Sequence, residues 1–291
     1  MIVFIGSVFS PYYHWSGRRA PENHVAVNVA LYGGRRQAWA MTERSRQALA
    51  RKADRLVIGR SSLATSETGL TLDFDEIALP WPGQRLWPAR IRGRLTLAPA
   101  LASGCGNARS FDLDPAGHHI WMPVFPRARI TVESDSFPEG GWQGEAYHDF
   151  NAGDRPLETD FLGWDWARGV DDAGVTRIVY DAVLRDGGSR RLGLVAGPAG
   201  TLEAFDLPDR QSLPRGGWGV RGGIPCDGPG APERLRKLED TPFYTRSLVR
   251  TQLQGTDVSM VHETLDCRRL SSPVVRLMLP FRMPRAPGHV A

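Results

Sequence analysis

Short runs of alternating apolar and polar residues, punctuated by Gly, Pro and Asp, recur along most of the chain. Leu70-Thr71-Leu72-Asp73-Phe74-Asp75 alternates residue by residue, and Ile91 to Leu97 does the same. Val25 to Leu31 is a nearly continuous apolar run that stops at Gly33-Gly34. Arg177 to Leu184 is closed by Asp186-Gly187-Gly188 and followed by Arg191 to Val195. Phe243 to Gln254, Val258 to Leu265 and Val274 to Phe281 complete the series. Successive side chains on a strand point to opposite faces, so this patterning predicts strands separated by turns. Helical periodicity is scarce. Its best stretch is Thr42 to Asp54, polar throughout, with Thr42 as N-cap. The chain is therefore expected to be all-β, a sandwich or a barrel.

At 291 residues the chain is long for one β domain. Two domains are expected, 1–135 and 136–291, with the break in the polar, Gly- and Pro-rich stretch Glu133 to Gly141. A second loop-rich zone runs from Leu213 to Pro232, and the tail from Pro284 to Ala291 is expected to be mobile. Hydrophobic residues make up 41% and charged residues 23%, which excludes a largely disordered chain. The net charge of +4 comes almost wholly from arginine, Lys52 and Lys237 being the only lysines. No dense basic run marks a nucleic-acid site, and no nucleic-acid partner is expected.

Cys105, Cys226 and Cys267 are odd in number and far apart, which argues against a disulfide framework or a zinc ribbon and favours a reducing compartment. No apolar stretch reaches the length of a spanning helix. Met1-Ile2-Val3-Phe4-Ile5 lacks a basic start and runs straight into Gly6-Ser7, so it reads as a strand rather than a signal peptide. Gly217-Trp218-Gly219-Val220-Arg221-Gly222 fits G-x-G-x-x-G, but Pro225, Gly228 and Pro229 follow at once, so it opens no helix for a dinucleotide. His118, His119, His148 and Asp149 form no ligand set on one face, because adjacent strand residues point apart. Neither a metal nor a cofactor is expected.

The chemistry concentrates in two strand-like segments. Gly144 to Gly153 contains Tyr147 and Asp149, two apart and so on one face. His118 to Pro123 contains His119 and Trp121 in the same relation. If the two strands meet, a carboxyl group is ringed by a phenol, an indole and an imidazole. If they do not, Asp149 is an ordinary strand-end carboxylate. Trp164 and Trp166 also share a face; they line either a packed core or the wall of a cavity for a large apolar ligand.

Several longer blocks point further. They are Phe4-Ile5-Gly6-Ser7-Val8-Phe9-Ser10-Pro11-Tyr12-Tyr13, the run Pro21 to Gly33, Trp39-Ala40-Met41-Thr42-Glu43-Arg44, Tyr147-His148-Asp149, Trp164-Asp165-Trp166-Ala167-Arg168, Asp240 to Ser247, and Met278 to Pro284. Together they resemble the carotenoid 1,2-hydratases, also called hydroxyneurosporene synthases, nearly end to end. The resemblance implies two tandem lipocalin-like antiparallel β-barrel domains. It implies cofactor-free addition of water across the terminal C1–C2 double bond of acyclic carotenoids such as lycopene and neurosporene, in purple photosynthetic bacteria and their relatives. It places function on His119, Trp121, Tyr147 and Asp149, with Asp149 as proton donor. Family members usually carry a further stretch before the Gly-Ser-Val-Phe-Ser-Pro-Tyr-Tyr block, including a first strand. Since this chain starts close to that block, either its start is assigned too late or an edge of the first domain is missing, which would leave a strand edge unpaired.

The chemistry of such a site follows from the residue types. Hydrating a trisubstituted alkene needs a proton on the less substituted carbon and a tertiary cation on the other. Burial among aromatic rings raises an Asp pKa by up to ~3–5 units, keeping the acid protonated near neutral pH. The cation gains up to ~2 kcal/mol from desolvated aromatic faces such as Trp121 and Tyr147. His119 is expected to orient water or accept its proton. The substrate lives in hydrocarbon, so the protein is expected to be cytoplasmic and peripheral at the inner or intracytoplasmic membrane, in contact with lipid. Two other readings share the pattern: a lipocalin-like binding protein, and a hydratase or cyclase acting on another isoprenoid or polyketide.

Overall fold

The computed structural model describes all residues except 34–36, 82, 84, 101–108, 199–201 and 288–291; Cys105 and the end of the tail lie outside the described residues. Antiparallel strands dominate the described residues, and the helices are short. The chain divides into two compact units, and neither is continuous. Unit 1 comprises Met1–Pro99, Ala128–Ala146 and Arg276–Ala291; unit 2 comprises Ala100–Arg127 and Tyr147–Val275. The expected boundary stretch, 133–141, lies wholly in unit 1. It forms the turn between the two long strands His119–Ser134 and Gly141–Gly153. Each of these strands gives one half to each unit.

In unit 1 the strands Ile2–Ile5, Val25–Leu31 and Ala38–Arg44 form a three-stranded sheet. A second set of strands meanders from Leu49–Arg51 through Gly69–Ala78 to Ala89–Pro99. The alternation read in the sequence sets the register: Leu70, Leu72 and Phe74 face Leu97, Leu95 and Gly93. Gly93 is required there, because a Cβ would stand 2.7 Å from the Phe74 ring.

Two sequence expectations fail in this unit. Thr42 to Asp54 is not a helix; Ala38–Arg44 is a strand that pairs along its whole length with Val25–Leu31. Beyond it only Arg46–Ala48 makes a 3-10 turn before the strand Leu49–Arg51; the stretch lacks a continuous apolar stripe to bury as a helix, so cross-strand pairing prevails over propensity. Conversely, Val274 to Phe281 is not a strand: Pro273–Met278 is α-helical and Leu279–Phe281 a 3-10 turn. Pro273 is pre-set for a first helical turn, and the run is apolar without alternation.

The returning C-terminal segment is tied to unit 1. Glu43 N–H donates to the Pro284 carbonyl, and Ala286 N–H donates to that of Glu43, both at 3.0 Å. The Glu43 side chain is fully buried, bonded to His24 Nδ1 at 2.9 Å and to Arg285. Replacing Glu43 by Leu should leave these two polar partners uncompensated and cost about 3–5 kcal/mol. The urea unfolding midpoint reads this out; a loss below about 1 kcal/mol would show the cluster to be dispensable.

Unit 2 is organised by a seven-stranded antiparallel sheet. Its order is Glu203–Phe205, Ser189–Ala196, Thr176–Leu184, Phe161–Val170, Thr256–Asp266, Tyr244–Leu253 and Glu233–Asp240. One face carries an apolar cluster that includes Ala167, Val179, Val249 and Met260. Ile224, from the short ladder of Arg210–Ser212 with Gly223–Pro225, belongs to the same cluster. The other face carries Trp164, Trp166 and Arg168, together with Tyr180 and Glu263 from the flanking strands.

Candidate active site

Period-two geometry splits Trp164-Asp165-Trp166 between the two faces of the unit 2 sheet. Asp165 points to the apolar-cluster side and is buried. It accepts hydrogen bonds from Thr264 Oγ1 at 2.6 Å and Gly223 N–H at 3.2 Å, and pairs with Arg210. Burial alone would raise its carboxyl, but His262 and Arg210 hold it below the ordinary Asp range. Asp165 thus anchors the Arg210–Pro225 loop, a task that sequence reasoning did not assign to it.

Trp164 and Trp166 point to the other face, half-buried, as expected. In register, Trp166 lies between Tyr180 on one neighbouring strand and Glu263 on the other. Glu263 is bonded to Arg246 at 2.8 Å. The Trp164 ring is edge-on to Phe161 at 5.7 Å and lies 6.1 Å from Tyr180.

Over this aromatic group come the two strands read as the chemical centre. They are neighbours, and they bring Trp121 and Asp149 together: Trp121 Nε1 donates to Asp149 Oδ2 at 2.9 Å. Trp121 is fully buried between Tyr180, at 5.4 Å between rings, and Phe111, at 5.6 Å. Tyr147 lies 5.3 Å from the Trp166 ring, and the Arg168 guanidinium lies 5.9 Å from the Tyr147 ring. Tyr147 Oη and Trp166 Nε1 are both buried, and neither has a hydrogen-bond partner among the described residues.

The electrostatics follow from this enclosure. Burial pushes the Asp149 carboxyl up to about 6. The Trp121 hydrogen bond opposes the rise, and the negative charge of Glu263 reinforces it. Burial, and then the charge of Asp149, push the Tyr147 and Tyr180 hydroxyls well above the ordinary phenol range. These tyrosines therefore stay neutral.

His119 is the exception among the expected site residues. It is buried on the same strand as Trp121, but its Nε2 is bonded to Asp160 Oδ2 at 2.8 Å and its ring packs on Phe161 at 4.9 Å. Gly153 makes room for it, since a Cβ there would come within 2.5 Å of His119 Nδ1. Asp160 is also held by Arg155, and together Arg155 and His119 outweigh burial and keep its carboxyl below the ordinary range. No hydrogen bond joins His119 to Asp149. The physical reason is local: the helix Leu157–Asp160 supplies a carboxylate at the imidazole before Asp149 can compete for it. His118, on the opposite face, bonds Asp154 at 2.9 Å. Among the described residues no three His, Cys, Asp or Glu side chains are placed to hold a metal ion.

Tyr180, Phe111 and Glu263 were missed in the sequence. Tyr180 lies in a recognised strand, Arg177 to Leu184, where its even position already put it on the face of Ile178 and Ala182. Nothing local linked that face to Trp166.

The family model for the carotenoid hydratase CrtC matches residues 1–291. The acyclic carotenoid 1,2-hydratase of Thiocapsa roseopersicina is 45% identical over 292 residues, covering 99% of this chain and 69% of that protein. That of Rubrivivax gelatinosus is 42% identical, covering 98% and 68%, and that of Cereibacter sphaeroides 39% identical, covering 99% of each. A crystal structure from Nitrosomonas europaea, described as a candidate AttH protein, superposes with a TM-score of 0.55 over 83% of this chain and 80% of its own. At 12% identity that likeness speaks for the fold alone. A full-length family match, and relatives at least 39% identical over nearly the whole of this chain, establish that this chain belongs to the carotenoid hydratase family, whose members are hydro-lyases.

Proposed function

We propose that this protein adds water across the terminal C1–C2 double bond of acyclic carotenoids, without a cofactor, and that Asp149 supplies the proton. One observation carries the reading: a carboxyl raised by burial to about 6 receives the Trp121 indole N–H at 2.9 Å. An indole N–H only donates, so in the neutral acid it must bond the carbonyl oxygen. Oδ2 is that oxygen, and in this reading the acidic proton sits on Oδ1, from which it is delivered to the alkene.

The steps balance. The C1–C2 π electrons take the Asp149 proton at C2, leaving a tertiary cation at C1 and a carboxylate at Asp149. The neutral faces of Tyr147 and Trp166 stabilise the cation by up to ~2 kcal/mol each where desolvated, and Trp121 contributes by holding Asp149. Water attacks C1, and its surplus proton returns to Asp149, restoring the acid. Tyr147 Oη and Trp166 Nε1, both buried and unpartnered, are the groups suited to hold that water. One of its lone pairs accepts from Trp166 while the other faces the cation. His119 acts as a positioning residue, fixing the Trp121 strand against Asp160. The polyene itself needs only an apolar path, to which Trp164 contributes. Enclosure of each unit as a lipocalin-like barrel would supply that path.

Asp149→Asn preserves shape but cannot protonate carbon. Turnover of lycopene or neurosporene should fall by at least ~10²–10⁴-fold with the melting curve retained. A folded variant that keeps most of its hydration rate removes Asp149 from the mechanism. The wild-type rate should decline as pH rises through about 6, because the protonated form is the active one. A rate that climbs over the same range would mean the carboxylate is the working species.

Trp121→Phe removes a bond that favours the carboxylate, so the alkaline limb of the pH–rate profile should move upward while kcat falls and KM changes little. An unmoved limb would show that the bond does not tune Asp149.

Tyr147→Phe deletes a buried hydroxyl that costs desolvation in the unliganded protein. Stability should hold or rise, while kcat falls about tenfold or more. Lower stability with unchanged kcat would make Tyr147 a packing residue.

A further inference from the structure

The returning C-terminal segment is apolar on more sides than unit 1 covers. Its inner side chains are used: Leu279 and Met283 are buried, and Met283 packs with Ala26, Trp39 and Met41. Its outer side chains are not. Leu277 is 66% exposed, Met278 37% and Phe281 84%. Phe281 follows Leu277 by four residues and Met278 by three, the spacings that bring helical side chains onto one face. A helix apolar all round is ordinarily covered all round, by protein or by hydrocarbon. The segment is also held in place, through the Glu43 backbone bonds to Pro284 and Ala286.

From Cys267 to Arg285 there are five arginines and no Asp or Glu; Arg268 and Arg269 lie by Asp266 and Arg285 is paired with Glu43, so Arg276 and Arg282 are the ones next to the exposed side chains. Arg276 Nη1 lies 2.6 Å from His14 Nε2, and the residue after His14, Trp15, is 52% exposed. Arg282 lies over the rings of Trp39 at 4.3 Å and Trp81 at 5.1 Å. Arginine beside tryptophan and exposed aliphatic side chains is the chemistry of a membrane interface, where phosphate meets hydrocarbon.

We infer that the face bearing Leu277, Met278 and Phe281 docks on an anionic lipid bilayer. The apolar side chains enter the boundary of the acyl region, and the arginines meet the phosphates. A protein partner would also cover apolar side chains, but Arg276 and Arg282 set among exposed Leu277, Met278 and Phe281 match a surface that offers phosphate beside hydrocarbon. The need to dock rests on the proposed activity, since an acyclic carotenoid is dissolved in hydrocarbon. The docking itself is tested without it.

The test is co-sedimentation of the full chain with carotenoid-free vesicles, of phosphatidylcholine alone or mixed with phosphatidylglycerol. The wild type should bind the anionic vesicles, and less so at high salt. Leu277→Ser with Phe281→Ser alters only exposed side chains and should weaken binding at least about tenfold. Failure of the wild type to bind, or equal binding by the double variant, would overturn the proposal. So would a wild-type dimer in sedimentation equilibrium that the double variant abolishes, since the face would then join two copies. With carotenoid dissolved in detergent micelles, both proteins should turn over alike; a loss there would assign the two side chains to the fold instead. If neither protein hydrates carotenoid in micelles while vesicle binding still depends on the two residues, docking stands and the hydratase reading falls.

Discussion

The hydrogen bond from Trp121 to Asp149 is the constraint around which the site in unit 2 is arranged. It joins neighbouring strands through side chains that are far apart in sequence. It also resolves a conflict. A carboxyl buried among aromatic rings is pressed toward the neutral acid, and a neutral acid needs its carbonyl oxygen satisfied without losing its proton. A donor-only indole satisfies that oxygen, although its hydrogen bond favours the carboxylate and so works against burial. A guanidinium in the same place would have favoured the carboxylate and suppressed the acid.

The sheet beneath divides its work by face. In Phe161–Val170, Ala167 points into the apolar cluster and Asp165 into a buried polar knot with Thr264, His262 and Arg210. Even-numbered residues place Trp164 and Trp166 beside Tyr180 and Glu263. The Asp165 knot is fully ion-paired and hydrogen-bonded. The aromatic face instead keeps two buried polar atoms, on Tyr147 and Trp166, without partners. Buried polar groups are normally satisfied, and this uncompensated pair beside a raised carboxyl is the feature on which the proposed reaction rests.

Unit 1 solves a different problem with similar means. Glu43, Arg285 and His24 hold the chain's return, and Glu76, bonded to Arg44 and Ser61, is a second buried acidic centre. Burial raises the Glu76 carboxyl, against the pull of Arg44. Of these residues, His24, Glu43 and Arg44 lie in the blocks near the N-terminus that resemble the family.

Strand content, the two-apart pairing of Tyr147 with Asp149, and the common face of Trp164 and Trp166 were all legible in the chain, because alternation along a strand is local and needs no partner. Family membership was legible for the same reason, as runs of contiguous residues. Other features were not local. Only the pairing of distant strands brought Trp121 to Asp149, set Tyr180 and Glu263 beside Trp166, and turned His119 to Asp160. Competition between a local helix and a neighbouring strand decided Thr42 to Asp54 against its helical reading. The wrapping of an apolar segment on a core decided Val274 to Phe281 against its strand reading. A sequence states which side chains share a face; which faces meet is decided by long-range pairing, where loop entropy and burial are weighed over the whole fold.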